Sequence, residues 1–347
     1  MKHLLLIALL QIVPLIMATG QQNPGTSCDT AHSQALWHNA REAFDKHQYQ
    51  AAAQGFSEAF RACPAHRDIL IELSQAQAHL GLFDSAIRSA RQFLDQEPKS
   101  IPGRVALANV YLMAVRLADA KREARGILEQ EPSNLAAMKM EGTAEFLLGN
   151  VVVSESRFIE LLDRYPNDEE GAYMLGRIYY QEGQMDRAIG QFERVLKVNP
   201  RSYKAYDNLG LCYEARGEND KAARHFWAAI RLADEDHSDY DWPFANLAEL
   251  FLNEGDSKKA FALASQAAQR NPQSARNFYI GGRALYELQK TDLCLNWLQR
   301  SSALDPNYPE PLYLLAQVYR KLGDDGKAKE AEERFLEAKA KQPSHRR

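Results

Sequence analysis

Small and apolar positions recur along this chain with a fixed step. In the stretch from Gly171 to Pro200, Ala172, Leu175, Gly176 and Tyr179 share one stripe at the three-and-four spacing of an amphipathic helix. Ala188, Phe192 and Val195 form a second stripe further on. Gly183 lies between the two, where the chain must turn, since glycine takes φ > 0 without strain. Pro200 ends the second stripe, Asn199 before it is steered away from the α region, and Ser202 stands ready to cap a further helix. The pattern predicts two short helices packed as a hairpin. Gly176 and Ala188 let their axes approach, and Tyr179 and Phe192 fill the adjoining space.

The rest of the chain repeats this hairpin. Prolines stand at Pro64, Pro98, Pro132, Pro166 and Pro200, each 34 residues after the last, and Pro272 and Pro306 repeat the step. The 72 residues from Pro200 to Pro272 are two steps plus four, which predicts a four-residue insertion near 234–240. In that frame the Gly176 position reads Ala40, Ser74, Ala108, Gly142, Gly176, Gly210, Ala248, Gly282 and Ala316. The Ala188 position reads Ala52, Ala86, Ala120, Ser154, Ala188, Ala222, Ala260, Cys294 and Ala328. Every member is small. The turn position holds glycine at Gly81, Gly149, Gly183, Gly217, Gly255 and Gly323.

With this period, these small residues, the aromatics and the closing proline, the chain resembles the tetratricopeptide repeat (TPR) proteins over nearly its whole length. The resemblance implies an all-α fold, a right-handed α-solenoid of about nine helix-turn-helix repeats spanning residues 33–341. Departures fall at Gln77 and Glu145, where an aromatic is expected, at Val115 and Gln289, where the turn glycine is expected, and at Glu332, where a large apolar residue is expected.

The ends differ from the repeats. Residues 1–20 read as a secretory signal peptide: Lys2, an apolar run from Leu4 to Leu10, Pro14, and the small residues Ala18-Thr19-Gly20. The run is too short to cross a bilayer. Residues 21–32 read as a disordered leader and 342–347 as a basic tail. Export places the protein in the periplasm or outside the cell, where disulfides form. Cys28 and Cys63 flank the first hairpin at neighbouring ends, so they form either a disulfide or two thiols, and the compartment favours the bridge. Cys212 and Cys294 sit at core positions and read as small buried apolar residues.

Composition changes little. The chain is 45% apolar and 25% charged with net charge −4, a balance that gives no sign of nucleic-acid binding. The acidic run at Asp234-Glu235-Asp236 suggests a calcium loop. The sixth and twelfth positions of such a loop would be Asp239 and Ala245 rather than glycine and glutamate, so it reads as a solvated loop. No metal pair, phosphate loop, nucleophile motif or catalytic carboxylate pair stands out, and the chain reads as non-enzymatic with no cofactor.

Function then rests on surface. In a stacked hairpin array the first helices line the concave face. Its candidate partner-binding residues are Tyr173, Arg177, Tyr180, Lys204, Asp207, Trp242, Arg276, Tyr279, Arg283, Tyr286, Tyr313 and Arg320. Tyrosine, tryptophan and arginine are enriched at binding hot spots. The four arginines point to an extended, acidic protein segment, and a glycan ligand of envelope polysaccharide assembly is the alternative. Some TPR domains grip acidic chaperone tails with a lysine, asparagine and arginine clamp. Here Asn208 and Asn246 match, but Tyr173 and Arg177 replace the clamp's first pair, so the clamp is incomplete.

Overall fold

The computed structural model describes residues 28–236 and 238–341, and all regular structure among them is helical. The signal segment, the leader as far as residue 27 and the tail 342–347 lie outside the described residues. The helices fall into two compact units, divided between Ile178 and Tyr179. The first unit contains α1 (Thr30–Asp45), α2 (Tyr49–Ala62), α3 (Ile69–His79), α4 (Phe83–Leu94), α5 (Ile101–Met113), α6 (Leu117–Leu128), α7 (Leu135–Leu147) and α8 (Val151–Arg164). Helix α9 (Glu169–Gln181) contains the division. The second unit continues with α10 (Met185–Val198), α11 (Tyr203–Ala215), α12 (Asn219–Glu235), α13 (Trp242–Asn253), α14 (Ser257–Arg270), α15 (Ala275–Glu287), α16 (Thr291–Leu304), α17 (Pro309–Lys321) and α18 (Asp325–Lys341). Helices in tandem with no strand among the described residues make the fold an all-α solenoid of helical hairpins.

Helix α1 begins at Thr30, inside the segment expected as leader. Asp29 caps it by accepting a hydrogen bond from the His32 backbone N–H at 3.0 Å.

The turn position is left-handed in every hairpin. Its six glycines have φ between +73° and +83°, and the residues that replace glycine elsewhere, His47, Val115 and Gln289, all have φ of +58°. The turn is therefore imposed by the helices on either side. The N–H of Val115 bonds to the Leu112 carbonyl and that of Arg116 to the Tyr111 carbonyl, closing the first helix whichever residue stands there.

The small positions permit close helix approach. A Cβ added at Gly142 would lie 2.8 Å from the Phe158 ring, and one at Gly210 would lie 2.4 Å from the Phe226 ring. Phe56, Phe158, Phe192 and Phe226 are among the most completely buried side chains. Cys212 and Cys294 are buried and unbridged, as their positions predict, and burial pushes their thiols up to about 12 and about 11.

The departures from the repeat are absorbed locally. Gln77 accepts from the Ser89 hydroxyl at 2.9 Å. Glu145, buried in an aromatic's position, accepts from Asn150 at 2.7 Å and lies 3.3 Å from Lys121 and 3.2 Å from Arg125. Glu141 beside it is fully buried and lies 2.8 Å from Arg125 and 3.1 Å from Arg157. Charges replace a ring there, and each carboxylate keeps a cation.

The insertion lengthens a helix more than it makes a loop. Helix α12 has 17 residues, against 14 in α10, α14 and α16. Its acidic end is tied down: Arg201 reaches Glu235 at 3.1 Å and Asp236 at 2.6 Å, while Arg270 pairs with Asp234. At the other end of the chain Cys28 and Cys63 form a disulfide, and Ser33 donates to the Ala59 carbonyl at 2.8 Å.

Within each unit the first helices of successive hairpins meet one another. Helices α3, α5 and α7 do so in the first unit, and α11, α13, α15 and α17 in the second. Within each unit, among the described residues, the second helices make no comparable contacts with one another, so the first helices form the inner layer of each stack.

Candidate partner-binding face

The inner face of the second unit is built on a floor of hydrogen-bonded side chains. Asn208 and Asn246 occupy one register on α11 and α13, and Asn277 stands about one turn earlier on α15. Asn208 donates to the Lys204 carbonyl at 2.8 Å, Asn246 to the Asp207 carboxylate at 2.8 Å, and Asn277 to the Asp241 carboxylate at 2.6 Å. Asn246 also accepts from the Arg276 guanidinium at 2.9 Å, and Arg276 in turn pairs with Glu249. Tyr240, from the segment after α12, donates to Asp207 at 2.8 Å and packs against Tyr203 with ring centroids 5.1 Å apart. A polar chain thus runs from Asp207 through Asn246 to Arg276 and Glu249, across α11, α13 and α15.

Asp207 therefore sits otherwise than its position suggested. It is only 2% exposed, and both carboxylate oxygens are engaged inside the fold. Burial raises its pKa to about 6, against the pull of its two hydrogen bonds and of Arg276. It is a floor residue that positions Asn246.

Cations lie over rings on this face. Arg276 is 5.4 Å from the Trp242 ring, Arg283 is 5.8 Å from Tyr279, and Lys321 is 5.8 Å from Tyr286. Tyr279 meets Tyr308 edge-on at 5.3 Å. Tyr180, Lys204, Trp242, Tyr279 and Tyr286 are half-buried, whereas Tyr313 is 53% exposed. Arg320 is exposed but pairs with Glu332, and Arg276 pairs with Glu249, so two of the four arginines expected to greet a partner hold carboxylates of this chain.

One residue of the face was missed by sequence reasoning. Glu214 on α11 is half-buried, and its carboxyl is pushed up, first by burial and then by the charge of Glu249. Burial, followed by the nearby Cys212, Glu214 and Asp207, likewise pushes up the Tyr180 hydroxyl. Glu214 stands four residues after Gly210, the register that Tyr180 holds relative to Gly176 and Tyr286 relative to Gly282. That register was the available signal.

The first unit shows the same device separately. Arg41 lies 5.4 Å from the Trp37 ring and 3.6 Å from Glu72, and Arg177 lies 5.5 Å from the Phe146 ring. Lys139 bridges Asp168 at 2.8 Å and Glu170 at 3.0 Å. Tyr173 is half-buried on the same helix as Arg177. Among the described residues no group of three or more His, Cys, Asp or Glu side chains could hold a metal ion. No described helix is long and apolar enough to cross a membrane.

Comparison with known proteins fits this architecture. No curated protein matches the sequence. Among solved structures, a chain of the APC/C hetero-tetramer Cut9–Hcn1 is 15% identical and superposes with a TM-score of 0.63 over 82% of this chain. The match takes in 55% of that partner's length, so this chain spans about half of it. A tetratricopeptide repeat protein from Parabacteroides merdae ATCC 43184 is 16% identical over 88% of this chain and 99% of its own, with a TM-score of 0.46. YrrB, described as a TPR protein with an unusual peptide-binding site, is 18% identical over 54% of this chain and 93% of its own, with a TM-score of 0.42. Family profiles described as tetratricopeptide repeat match residues 39–101, 173–237 and 309–342, and one described as TPR repeat matches 282–323. Together these matches take in more than half of the sequence, and the chain belongs to the tetratricopeptide repeat family.

Proposed function

We propose that this protein is a non-enzymatic scaffold that holds an extended segment of a partner protein along the inner face of its second unit. Tandem TPR hairpins are the architecture of a protein-interaction scaffold. The observation that carries the finer reading is the row of half-buried rings and cations on α13, α15 and α17. Trp242, Tyr279 and Tyr286 lie under Arg276, Arg283 and Lys321, the residue types and the partial burial of a binding hot spot. An extended backbone lies well on such a row, because tyrosine covers it while arginine takes its polar groups.

The preference for acidic segments narrows to Arg283, since Arg276 and Arg320 already hold Glu249 and Glu332. The glycan alternative loses ground for a related reason. Trp242, Tyr279 and Tyr286, three rings that could stack on a sugar, already carry cations. The site of action proposed is outside the cytoplasm. The Cys28–Cys63 disulfide supports this reading, because such bridges persist in oxidising compartments.

The test is retention from an extract of the source cell envelope on the immobilised protein, with an Arg283→Glu, Tyr286→Ala variant in parallel. The proposal expects one or two proteins held by the wild type and lost by the variant, a weakening of ~2–4 kcal/mol. Identical retention by both forms would remove this face from the account.

A further inference from the structure

Resting on the reading that the second unit's inner face holds an extended segment, the charges on that face specify the segment's chemistry. Between α13 and α15 a pair is closed: Glu249 holds Arg276. One hairpin further on, the same register sets Arg283 on α15 against Glu310 on α17, with the signs exchanged. No ion pair closes there among the described residues. Arg283 rests over Tyr279, and Glu310 is exposed. On the other side of the closed pair stands Glu214 on α11, half-buried, with no cation bonded to it among the described residues. Its negative neighbours are Glu249 and Asp207, and Arg276 is already engaged with Glu249 and Asn246. Along the stack the face therefore presents an open anion, a closed pair and an open cation.

A segment laid across these helices removes water from both open charges. A neutral segment would leave both desolvated without partners, and a wholly acidic one would bring like charge to Glu214. We propose that the second unit selects an extended protein segment carrying a lysine or arginine that meets Glu214 and an aspartate or glutamate that meets Arg283. Packed helix axes lie about 8–10 Å apart, and α11 to α15 is two such steps. An extended chain advances about 3.3–3.6 Å per residue, so the two charges in the segment stand about five or six residues apart. Glu310, exposed and hydrated, is a weak competitor for Arg283 beside a carboxylate delivered between Tyr279 and Tyr286.

The experiment is selection of random peptides of about twelve residues from a display library on the immobilised full chain. Glu214→Gln, Arg283→Gln and a Tyr279→Ala, Tyr286→Ala double variant are run in parallel, each checked for an unchanged melting transition. The expected result is enrichment of peptides with one basic and one acidic residue at that separation. Neutralising either charge should weaken binding about tenfold. Glu214→Gln should drop the requirement for the basic residue alone, and Arg283→Gln that for the acidic residue alone. Enriched peptides that are lost on the double-tyrosine variant yet show no charge pair, or acidic residues only, overturn the charge order and leave the inner-face reading standing. No enrichment on the wild type, or enrichment that survives the double variant, removes the inner-face reading itself.

Discussion

At the scale of single residues, Asp207 and Val115 show how position and environment diverge. Asp207 lies in a register expected to face a partner, yet Tyr240 and Asn246, 33 and 39 residues further along, enclose it. Local spacing carries no signal of partners so remote, which is why its burial was not legible in the sequence, whereas Glu214 nearby shares the register of Tyr180 and Tyr286 and could have been found from it. Asp207 has a pH signature. Its folded pKa is about 6, above the ~3.9 of an unfolded aspartate, so the folded state binds the proton more tightly. That contribution to stability is fully present below about pH 4 and is lost as pH rises through 6, by up to ~3 kcal/mol. Asp207→Asn should therefore raise the melting midpoint, relative to wild type, more at pH 7 than at pH 4. A pH-independent difference would show that the group is not held as described. Val115 is β-branched at φ +58°, a conformation that costs ~1–2 kcal/mol outside glycine. Part of that gain is offset by the freer unfolded glycine, so Val115→Gly should stabilise the chain by ~0.5–1 kcal/mol in denaturant titration.

At the scale of elements, the hairpins were readable because their period is local. The small residues, turn positions and closing prolines all lie within one 34-residue step. The consequence of the four-residue insertion was not readable. That it extends α12 depends on Arg201 and Arg270, which reach its acidic end from other hairpins. Close approach makes a sharp prediction. In Gly210→Ala the new Cβ meets the Phe226 ring at 2.4 Å, an overpacking that should cost ~1–3 kcal/mol. Gly190→Ala, whose Cβ would meet nothing within 4 Å, should be neutral or stabilising because alanine favours helix. The first hairpin offers a second test. Its bridge closes a separation of 35 residues, so reduction should lower stability by ~3–4 kcal/mol. Amide exchange should rise first in α1 and α2.

At the scale of the molecule, each compact unit stacks its first helices into one layer and its second helices into another, so each presents an inner face rich in cation-bearing rings. In the second unit that face ends in open charges rather than closed ones, and the proposed function rests there. The most direct measurement is photo-crosslinking in the source cell, with a photoreactive residue placed either at Gln317, in the inner-face register of Arg283 and Glu249, or at Trp227, which is 48% exposed on the outer helix α12. A discrete crosslinked protein is expected from position 317, lost when Arg283→Glu and Tyr286→Ala are added, and none from position 227. The same adduct from position 227, or none from 317, would contradict the proposed function.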